Sequence, residues 1–359
     1  MAAPTTAGST AIAAWLDTDL DAWTRRVVAR TFDSELGSPY WLRRAGELSF
    51  DPRDVTRYEQ LAEFGPFPLN DLRTLDPADL VPKAVARPLV GRVWDSGGTT
   101  GDPCRVFYTP PMLVHRAEWR RWSFVTEGFQ PGRTWLQATP TGPHLIGNGW
   151  WEVSEFHRGR VYGIDMDPRW VKRMLRAGRM DAANEYVEHL LDQMCTVLLS
   201  QRVDYVNTTP ALFQALVRRA PDLVARLSGA RLSGTQINGR MLRTFLEALD
   251  GGTCGISYGN TFGNAASLPP EDDGAVLPYV PNYPQVTMAV VDKQDWRREV
   301  GHGEVGQVRL TVLHEDLFLP NVLERDQAVR YDPRGAWPSD GVANVRPLQV
   351  VRSAPEGIY

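Results

Sequence analysis

A short stretch rich in glycine and threonine, Trp94-Asp95-Ser96-Gly97-Gly98-Thr99-Thr100-Gly101-Asp102-Pro103, carries the clearest chemical signal in the sequence. Glycines permit unusual backbone angles, so successive N–H groups can surround an anionic oxygen, and the threonine hydroxyls add further donors. No Gly-Lys-Ser/Thr closes the stretch, so it is not a Walker loop. It predicts a phosphate-binding loop, and an ordinary flexible turn is the alternative.

The stretch resembles the Ser/Thr/Gly-rich loop of the adenylate-forming superfamily, which holds the β- and γ-phosphates of ATP. The chain looks most like the phenylacetate–CoA-ligase-like branch, and within it like the shortened members of phenazine antibiotic pathways. It departs from the family at Gly97, where Ser is common, and at Cys104, where Lys is frequent. The resemblance assigns ATP binding to Ser96, Gly97, Gly98, Thr99, Thr100 and Gly101, and makes Thr99 and Thr100 catalytic.

Two later segments resemble the adenine-binding motifs of the family and follow in the same order. Leu232-Ser233-Gly234-Thr235-Gln236 ends a predicted strand, and α/β sheets generally bind ligands at the carboxyl ends of parallel strands. A plain β–α turn is the alternative there. Ser257–Asn264 resembles the Tyr-Gly-x-Thr-Glu motif, whose aromatic ring stacks on adenine and whose Thr meets the phosphate. The resemblance assigns the nucleotide to Gly234, Thr235, Gln236, Tyr258, Gly259, Asn260 and Thr261, with Thr261 also catalytic.

The last position of the Tyr-Gly-x-Thr-Glu motif departs from the family. The family has a Glu there that holds magnesium, whereas this chain has Phe262. An apolar ring cannot ligate a hard cation that requires oxygen. We therefore expect another carboxylate or phosphate oxygens alone to hold magnesium, or nucleotide turnover to be weakened, and we assign no metal ligand.

The segment Leu317–Arg330 resembles the strand that carries the ribose-binding Asp of the family. The family's Thr-Gly-Asp triplet is Glu324-Arg325-Asp326 in this chain. A carboxylate can accept hydrogen bonds from both ribose hydroxyls, so the resemblance assigns the ribose to Asp326. A solvated surface Asp is the alternative.

The segment Gly142–Trp151 corresponds loosely to a Gly-rich segment that lines the acyl pocket of the relatives. Glycines permit close approach, and the paired tryptophans at its end could form the wall of a site for a flat aromatic acid. A lone His in such a loop is more often structural than catalytic, and this is the alternative for His144. We expect the acid to contact Gly142, His144, Gly147 and Trp150.

The elements around these motifs predict an α/β protein. Helical spacing of apolar residues predicts helices over 10–30 and 182–201, and Asp167-Pro168 predicts the start of another helix. Short strands, the first over 203–206, alternate with helices from 203 to 249. Runs of β-branched residues predict strands over 286–291 and 305–313. We expect a tail and helix over 1–31, an α/β nucleotide- and acid-binding part over 32–284, and a β-rich subdomain over 285–359 that carries the ribose Asp. This is the N-terminal body of the family, with two sheet–helix subdomains, a β-rich subdomain and no C-terminal lid domain.

Composition narrows the classes of partner. The chain has 359 residues with a formal net charge of -4 and no basic stripe, which argues against nucleic acid. No apolar run approaches the roughly 18 residues of a membrane span. Three separated cysteines indicate neither a disulfide framework nor a zinc site and favour a cytoplasmic protein. A homodimer is left open.

The resemblance implies that the chain activates an aromatic or other planar carboxylic acid as its acyl-adenylate, using ATP and magnesium. Full-length relatives continue into a lid with a catalytic Lys, and this sequence stops at Tyr359, so we expect no lid Lys. A reductase or acyl-acceptor partner would then complete the second half-reaction. The alternatives are a non-catalytic ligand-binding homologue and the activation of a small acid such as nitrite.

Overall fold

The computed structural model describes residues 7–97 and 102–348. The helices are α1 (Ala7–Leu16), α2 (Leu20–Thr31), α3 (Pro39–Ala45), α4 (Asp71–Thr74), α5 (Pro110–Thr126), α6 (Gly149–Trp151), α7 (Pro168–Arg176), α8 (Met180–Ser200), α9 (Pro210–Arg219), α10 (Pro221–Val224) and α11 (Gly239–Ala248). None of the helices in these ranges combines the length and apolar character needed to cross a bilayer.

The strands are β1 (Arg92–Asp95), β2 (Arg105–Tyr108), β3 (Thr134–Ala138), β4 (Arg160–Gly163), β5 (Tyr205–Thr208), β6 (Gly229–Leu232), β7 (Thr253–Gly259), β8 (Asn264–Ser267), β9 (Pro278–Pro281), β10 (Val286–Val291), β11 (Val305–His314), β12 (Leu317–Tyr331) and β13 (Gly341–Pro347). The described chain packs as two compact units. Unit 1 comprises the residues up to Trp119 together with Asn260–Ala265 and Tyr279–Leu348, and unit 2 comprises Arg120–Gly259 and Ala266–Pro278. The three-part division at residues 31 and 284 stays a prediction.

Unit 1 combines N-terminal helices with antiparallel strands. The single helix predicted over 10–30 is wrong, because Asp19 separates α1 from α2. Its backbone is extended and its side chain accepts a hydrogen bond from the N–H of Ala22, which caps the start of α2. Strands β10, β11, β12 and β13 follow one another in an antiparallel sheet. The run of β-branched residues predicted this β-rich part, and β10 occupies the predicted range 286–291.

Unit 2 contains the parallel sheet that the alternation of strands and helices predicted. Its strand order is β7-β6-β5-β3-β4, and all of these pairs are parallel. Helix α8 covers the second predicted helix, with Leu190, Met194 and Leu198 buried as its apolar stripe indicated. An aromatic core beneath the sheet includes Phe124, Phe129 and Trp135. The parallel arrangement places the carboxyl ends of these strands along one edge of the sheet.

Candidate functional site

In unit 1, the hairpin β1–β2 holds the two ends of the predicted phosphate loop. The backbone N–H of Ser96 donates to the carbonyl of Cys104 at 2.8 Å, and the N–H of Cys104 donates to Ser96 Oγ at 2.9 Å. Gly97 continues directly from this closure. The remaining predicted phosphate residues, Gly98, Thr99, Thr100 and Gly101, lie outside the described residues.

The Asn260-Thr261 segment of unit 1 lies against the same hairpin. The Tyr108 hydroxyl donates to the carbonyl of Thr261 at 3.0 Å, and Thr261 Oγ1 donates weakly to the carbonyl of Asp95 at 3.4 Å. Thr261 is buried, with 8% of its surface exposed. The fold therefore brings Thr261 next to the residue that precedes Ser96, as shared binding of one phosphate chain would require.

The side chain of Asn260 shapes the turn that contains the departure from the family motif. Its Oδ1 accepts from the N–H groups of Phe262 at 2.7 Å and Gly263 at 3.0 Å. A Cβ on Gly263 would lie 2.9 Å from Val286 Cγ1, so this turn packs too closely on β10 for a larger residue. The Phe262 ring is buried in unit 1, with 6% exposed, and offers no oxygen to a cation.

Glu324, which the sequence analysis did not single out, joins the same region of unit 1. Burial raises the pKa of its carboxyl to about 8, and the charge of Asp326 adds to this, whereas a hydrogen bond from the side chain of Asn260 opposes it. Its Oε1 is buried and has no hydrogen-bond partner among the described residues. Asp326 lies on β12, where it pairs with Pro347 of β13. The triplet Glu324-Arg325-Asp326 thus reaches the Asn260-Thr261 segment through its glutamate.

Within the described ranges, no cluster of three or more His, Cys, Asp or Glu side chains could hold a metal ion. Arg105, which follows Cys104, forms an ion pair within the hairpin, with its Nε 3.3 Å from Asp95 Oδ1. The described part of unit 1 therefore supplies the candidate site with the β1–β2 hairpin, Thr261 and the carboxylates of Glu324 and Asp326.

In unit 2, the predicted adenine-binding residues follow two adjacent strands. Strands β6 and β7 are parallel with Leu232 opposite Ile256, so the turn after β6 and the end of β7 share one edge. Gly234 has φ +90°, a conformation that favours glycine. The buried Thr235 hydroxyl has no hydrogen-bond partner within residues 7–97 and 102–348, and Gln236 is exposed. Tyr258 and Gly259 form the end of β7.

The predicted acid-binding segment follows β3 in unit 2 and divides into buried and exposed residues. Gly142 and Trp150 are exposed, the latter by 46%, whereas His144 is buried with 3% exposed. A Cβ on Gly147 would lie 2.2 Å from the carbonyl oxygen of Pro140, so only glycine fits there. Two of the four predicted residues are therefore exposed and two, His144 and Gly147, are buried.

Beneath this segment lies a polar cluster that no sequence motif indicated. The Arg120 guanidinium lies 3.4 Å from the Glu152 carboxylate, and both side chains are buried. The carboxamides of Gln137 and Asn207 lie 2.8 Å apart at the ends of β3 and β5. A Cβ on Gly149 would lie 3.0 Å from Gln137 Nε2. The segment thus covers charged and amide groups as well as apolar ones.

No family model matches the sequence, and neither does any curated protein sequence. Solved structures do match. An open conformation of 2-hydroxyisobutyryl-CoA ligase in complex with 2-HIB-AMP and CoA has a TM-score of 0.62 at 16% identity, covering 87% of this chain and 69% of that one. The same ligase in the thioesterification state has a TM-score of 0.63 at 15% identity, covering 92% and 68%. The fold is that of the adenylate-forming enzymes.

This confirms the predicted N-terminal body. A third structure of the ligase, in the postadenylation state with 2-HIB-AMP, agrees at a TM-score of 0.59 and 16% identity, covering 87% of this chain and 62% of that one. Identities this low concern the fold alone. The phenylacetate–CoA-ligase-like branch and the phenazine link stay predictions, as do the roles of the individual site residues.

Proposed function

We propose that this chain activates a carboxylic acid with ATP as an acyl-adenylate. The observation that carries the proposal is the convergence in unit 1 of three segments that are far apart in sequence. The hairpin around Ser96 contacts Thr261, and Glu324 contacts Asn260. A chain that folds like ligases crystallised with an acyl-adenylate, and that brings these segments together, has the parts for binding a nucleotide.

Each segment has a proposed role. The loop from Ser96 to Gly101 holds the phosphates through backbone N–H groups and the Thr99 and Thr100 hydroxyls. Thr261 donates to the phosphate that is attacked, and Asp326 accepts from the ribose hydroxyls. On unit 2, Tyr258 stacks on the adenine beside the Gly234–Gln236 turn.

The proposed reaction is an in-line displacement at the α-phosphorus. A carboxylate oxygen of the acid forms a bond to that phosphorus, and the bond to the bridging oxygen of pyrophosphate breaks, so that pyrophosphate leaves with the electron pair. Fixed donors at the phosphates stabilise the charge that builds up, and positioning removes the entropic cost of the encounter. The chain needs no covalent intermediate for this step.

Magnesium fits this arrangement only as an ion carried by ATP. Phe262 supplies no ligand, but magnesium usually keeps several waters and takes one or two carboxylates together with phosphate oxygens. Glu324 beside Asn260 is the carboxylate we assign to it. Glu324 must first lose its proton. When bound, the ion would neutralise charge on the phosphates.

The acid we propose is aromatic, because Trp150 follows the glycines of the segment over β3 and exposes a large flat surface. We further propose a cytoplasmic role in secondary metabolism, in which a reductase or another acyl acceptor takes the activated acid. Phe262 favours one rival, a homologue that binds these ligands without turnover.

Acid-dependent exchange of labelled pyrophosphate into ATP tests the proposal. We expect exchange with at least one member of a panel of aryl acids, and we expect Thr99→Val with Thr100→Val to weaken ATP binding more than tenfold, as losing two hydrogen bonds to a charged group implies. Asp326→Ala should weaken ATP binding without changing the order of acids. Binding of ATP and an acid without any exchange would favour the non-catalytic rival, and unchanged ATP affinity in the double variant would refute the loop assignment.

A further inference from the structure

Tyr108, the last residue of β2, belongs to none of the residue sets assigned above, yet its hydroxyl reaches the turn that carries Thr261. The hydroxyl donates to the carbonyl of Thr261 at 3.0 Å, and the carbonyl of Phe262 lies 3.4 Å from it. Tyr108 is only 4% exposed, and a buried tyrosine hydroxyl normally has a hydrogen-bond partner. These two acceptors are successive carbonyls of one turn, so the bond joins β2 to the backbone of that turn.

Close packing holds the backbone at both ends of this bond. At the hairpin end, a Cβ on Gly91 would collide with the carbonyl oxygen of Tyr108. At the turn end, a Cβ on Gly263 would lie 3.0 Å from Leu310 Cδ1 of β11. Close-packed segments leave little room for the backbone to shift. The Tyr108 hydroxyl therefore fixes the distance between the hairpin and the carbonyl of Thr261.

The hydroxyl of Thr261 is held less firmly than its backbone. Thr261 Oγ1 donates to the carbonyl of Asp95 at 3.4 Å, which is long for an O–H donor, whereas the Thr261 carbonyl accepts from Tyr108 at 3.0 Å. The Thr261 hydroxyl can therefore turn toward a phosphate oxygen while its backbone stays in place. A donor that is fixed in advance needs no reorganisation when charge develops on the phosphate.

The neighbours of Thr261 in the turn are already occupied. Asn260 Oδ1 accepts from the N–H groups of Phe262 and Gly263, and the Asn260 side chain also forms a hydrogen bond to Glu324. Phe262 has no polar side-chain atom. Thr261 is therefore the residue of this turn whose side chain can be redirected to a ligand, and its position depends on the bond from Tyr108.

We propose that Tyr108 is a positioning residue for adenylation, which holds Thr261 where its hydroxyl meets the phosphate of ATP. The inference rests on the proposed function, in which Thr261 donates to that phosphate. Tyr108 does not contact ATP itself and acts through the backbone of Thr261.

A double-variant cycle tests this role, with the affinity for magnesium–ATP measured by calorimetry on the full chain. Tyr108→Phe keeps the ring and removes the hydroxyl, and Thr261→Val keeps the shape and removes the phosphate donor. We expect Thr261→Val to weaken ATP binding about tenfold and Tyr108→Phe about three- to tenfold. Because Tyr108 acts through Thr261, the double variant should bind ATP no more than about twofold more weakly than Thr261→Val alone.

Tyr283→Phe is the matched control. Tyr283 is another buried tyrosine of unit 1, with 2% exposed, and its hydroxyl donates to the backbone carbonyl of Thr18. Each Tyr→Phe variant loses one buried hydrogen bond, but we expect Tyr283→Phe to keep the ATP affinity of the wild type. Urea denaturation checks that both variants fold, and if Tyr108→Phe unfolds in buffer, the cycle is measured in sucrose, which favours the folded chain.

Several outcomes would overturn the positioning role. The effects of Tyr108→Phe and Thr261→Val could multiply in the double variant, or a folded Tyr108→Phe could bind ATP as the wild type does. An equal loss of affinity in Tyr283→Phe would show that lost stability, rather than lost position, weakens binding, and would overturn the role as well. A wild-type chain that binds no ATP would refute the proposed function and this inference with it, so the two failures give different results.

Discussion

Units 1 and 2 each bury a group of polar side chains, but they satisfy them differently. In unit 2, Arg231 Nε donates to Glu127 Oε2 at 2.8 Å, Arg231 Nη2 donates to Ser123 at 2.9 Å, and Ser267 donates to Glu127 Oε1 at 2.7 Å. In unit 1, the side chains of His115, His314 and Gln285 lie around one cavity, and the buried Gln285 Oε1 has no hydrogen-bond partner among the described residues. A satisfied buried network stabilises the fold, whereas a buried acceptor without a partner costs stability.

The packing of unit 2 shows that its network is built into the core. The Arg231 guanidinium lies 4.8 Å from the centroid of the Phe124 ring, and the side chain is 1% exposed. A Cβ on Gly255 would lie 2.3 Å from Glu127 Oε2, so the neighbouring strand must carry glycine there. Among the described residues, Nη1 of the guanidinium has no hydrogen-bond partner.

The largest expected effect comes from opening the closed network. Arg231→Met should lower the free energy of unfolding by about 3–5 kcal/mol, because it leaves the Glu127 carboxylate buried without its cation. Urea denaturation measures this loss. Arg219→Met is the matched control, since Arg219 is 54% exposed and lies 3.6 Å from Glu188, and we expect it to cost less than about 1 kcal/mol. Equal losses of stability in both variants would contradict a larger contribution from the buried Arg231–Glu127 pair.

The next effect concerns Glu324 of unit 1, whose Oε1 has no hydrogen-bond partner in the described part of the chain. Its native pKa of about 8 lies above the usual 4.5, so the native state holds a proton that the unfolded state releases between these values. The contribution of protonated Glu324 to the free energy of unfolding is therefore fully present below pH 4.5 and is lost as the pH rises through 8. Part of the side chain meets solvent, and we expect a loss on the order of 3–4 kcal/mol, since one pKa unit is about 1.4 kcal/mol.

Glu324→Gln should remove this loss, so that the variant becomes increasingly more stable than the wild type as the pH rises from 4.5 to 8. Glu63→Gln, at an exposed position, should leave the difference flat. Thermal unfolding across this pH range measures both. A wild-type curve that runs parallel to that of Glu324→Gln would contradict the raised pKa.

His314 should act in the opposite direction. Its native pKa of about 4 lies below the usual 6.5, because burial disfavours the charged ring. The stability that it contributes is present above pH 6.5 and is lost as the pH falls through 4, by on the order of 3 kcal/mol. His314→Asn keeps an acceptor for the Asp316 N–H and should flatten this acid limb, whereas His189→Asn at an exposed position should not. An unchanged acid limb in His314→Asn would contradict the neutral, buried ring.

Local patterns predicted much of the fold. The β-branched run predicted β10, and Asp167-Pro168 predicted the start of α7, where the Asp167 side chain accepts from the N–H of Arg169. The strand predicted over 203–206 lies two residues later, at Tyr205–Thr208. Short apolar runs constrain the ends of a strand weakly, so the pairing with β3 and β6 decides them.

The buried polar groups of unit 1 could not be predicted from such local patterns. His115 lies on α5 and His314 on β11, and only the tertiary fold brings their rings to a centroid distance of 6.2 Å. Glu324 replaces the Thr of a family triplet, a difference that marks the residue without revealing its burial. The resemblance did bring Asn260 and Thr261 to attention, because their motif is contiguous in sequence.

The smallest predicted effect tests whether the unpartnered acceptor of Gln285 lowers the free energy of unfolding. Without ligand, Gln285→Met should raise the free energy of unfolding by about 1 kcal/mol, because a buried acceptor without a partner costs stability that an apolar side chain does not. The change in the free energy of unfolding then has the opposite sign to that of Arg231→Met. Urea denaturation of both variants compares the two changes directly. A Gln285→Met variant that loses more than about 1 kcal/mol without ligand would mean that Gln285 supports the fold of unit 1 as Arg231 supports that of unit 2.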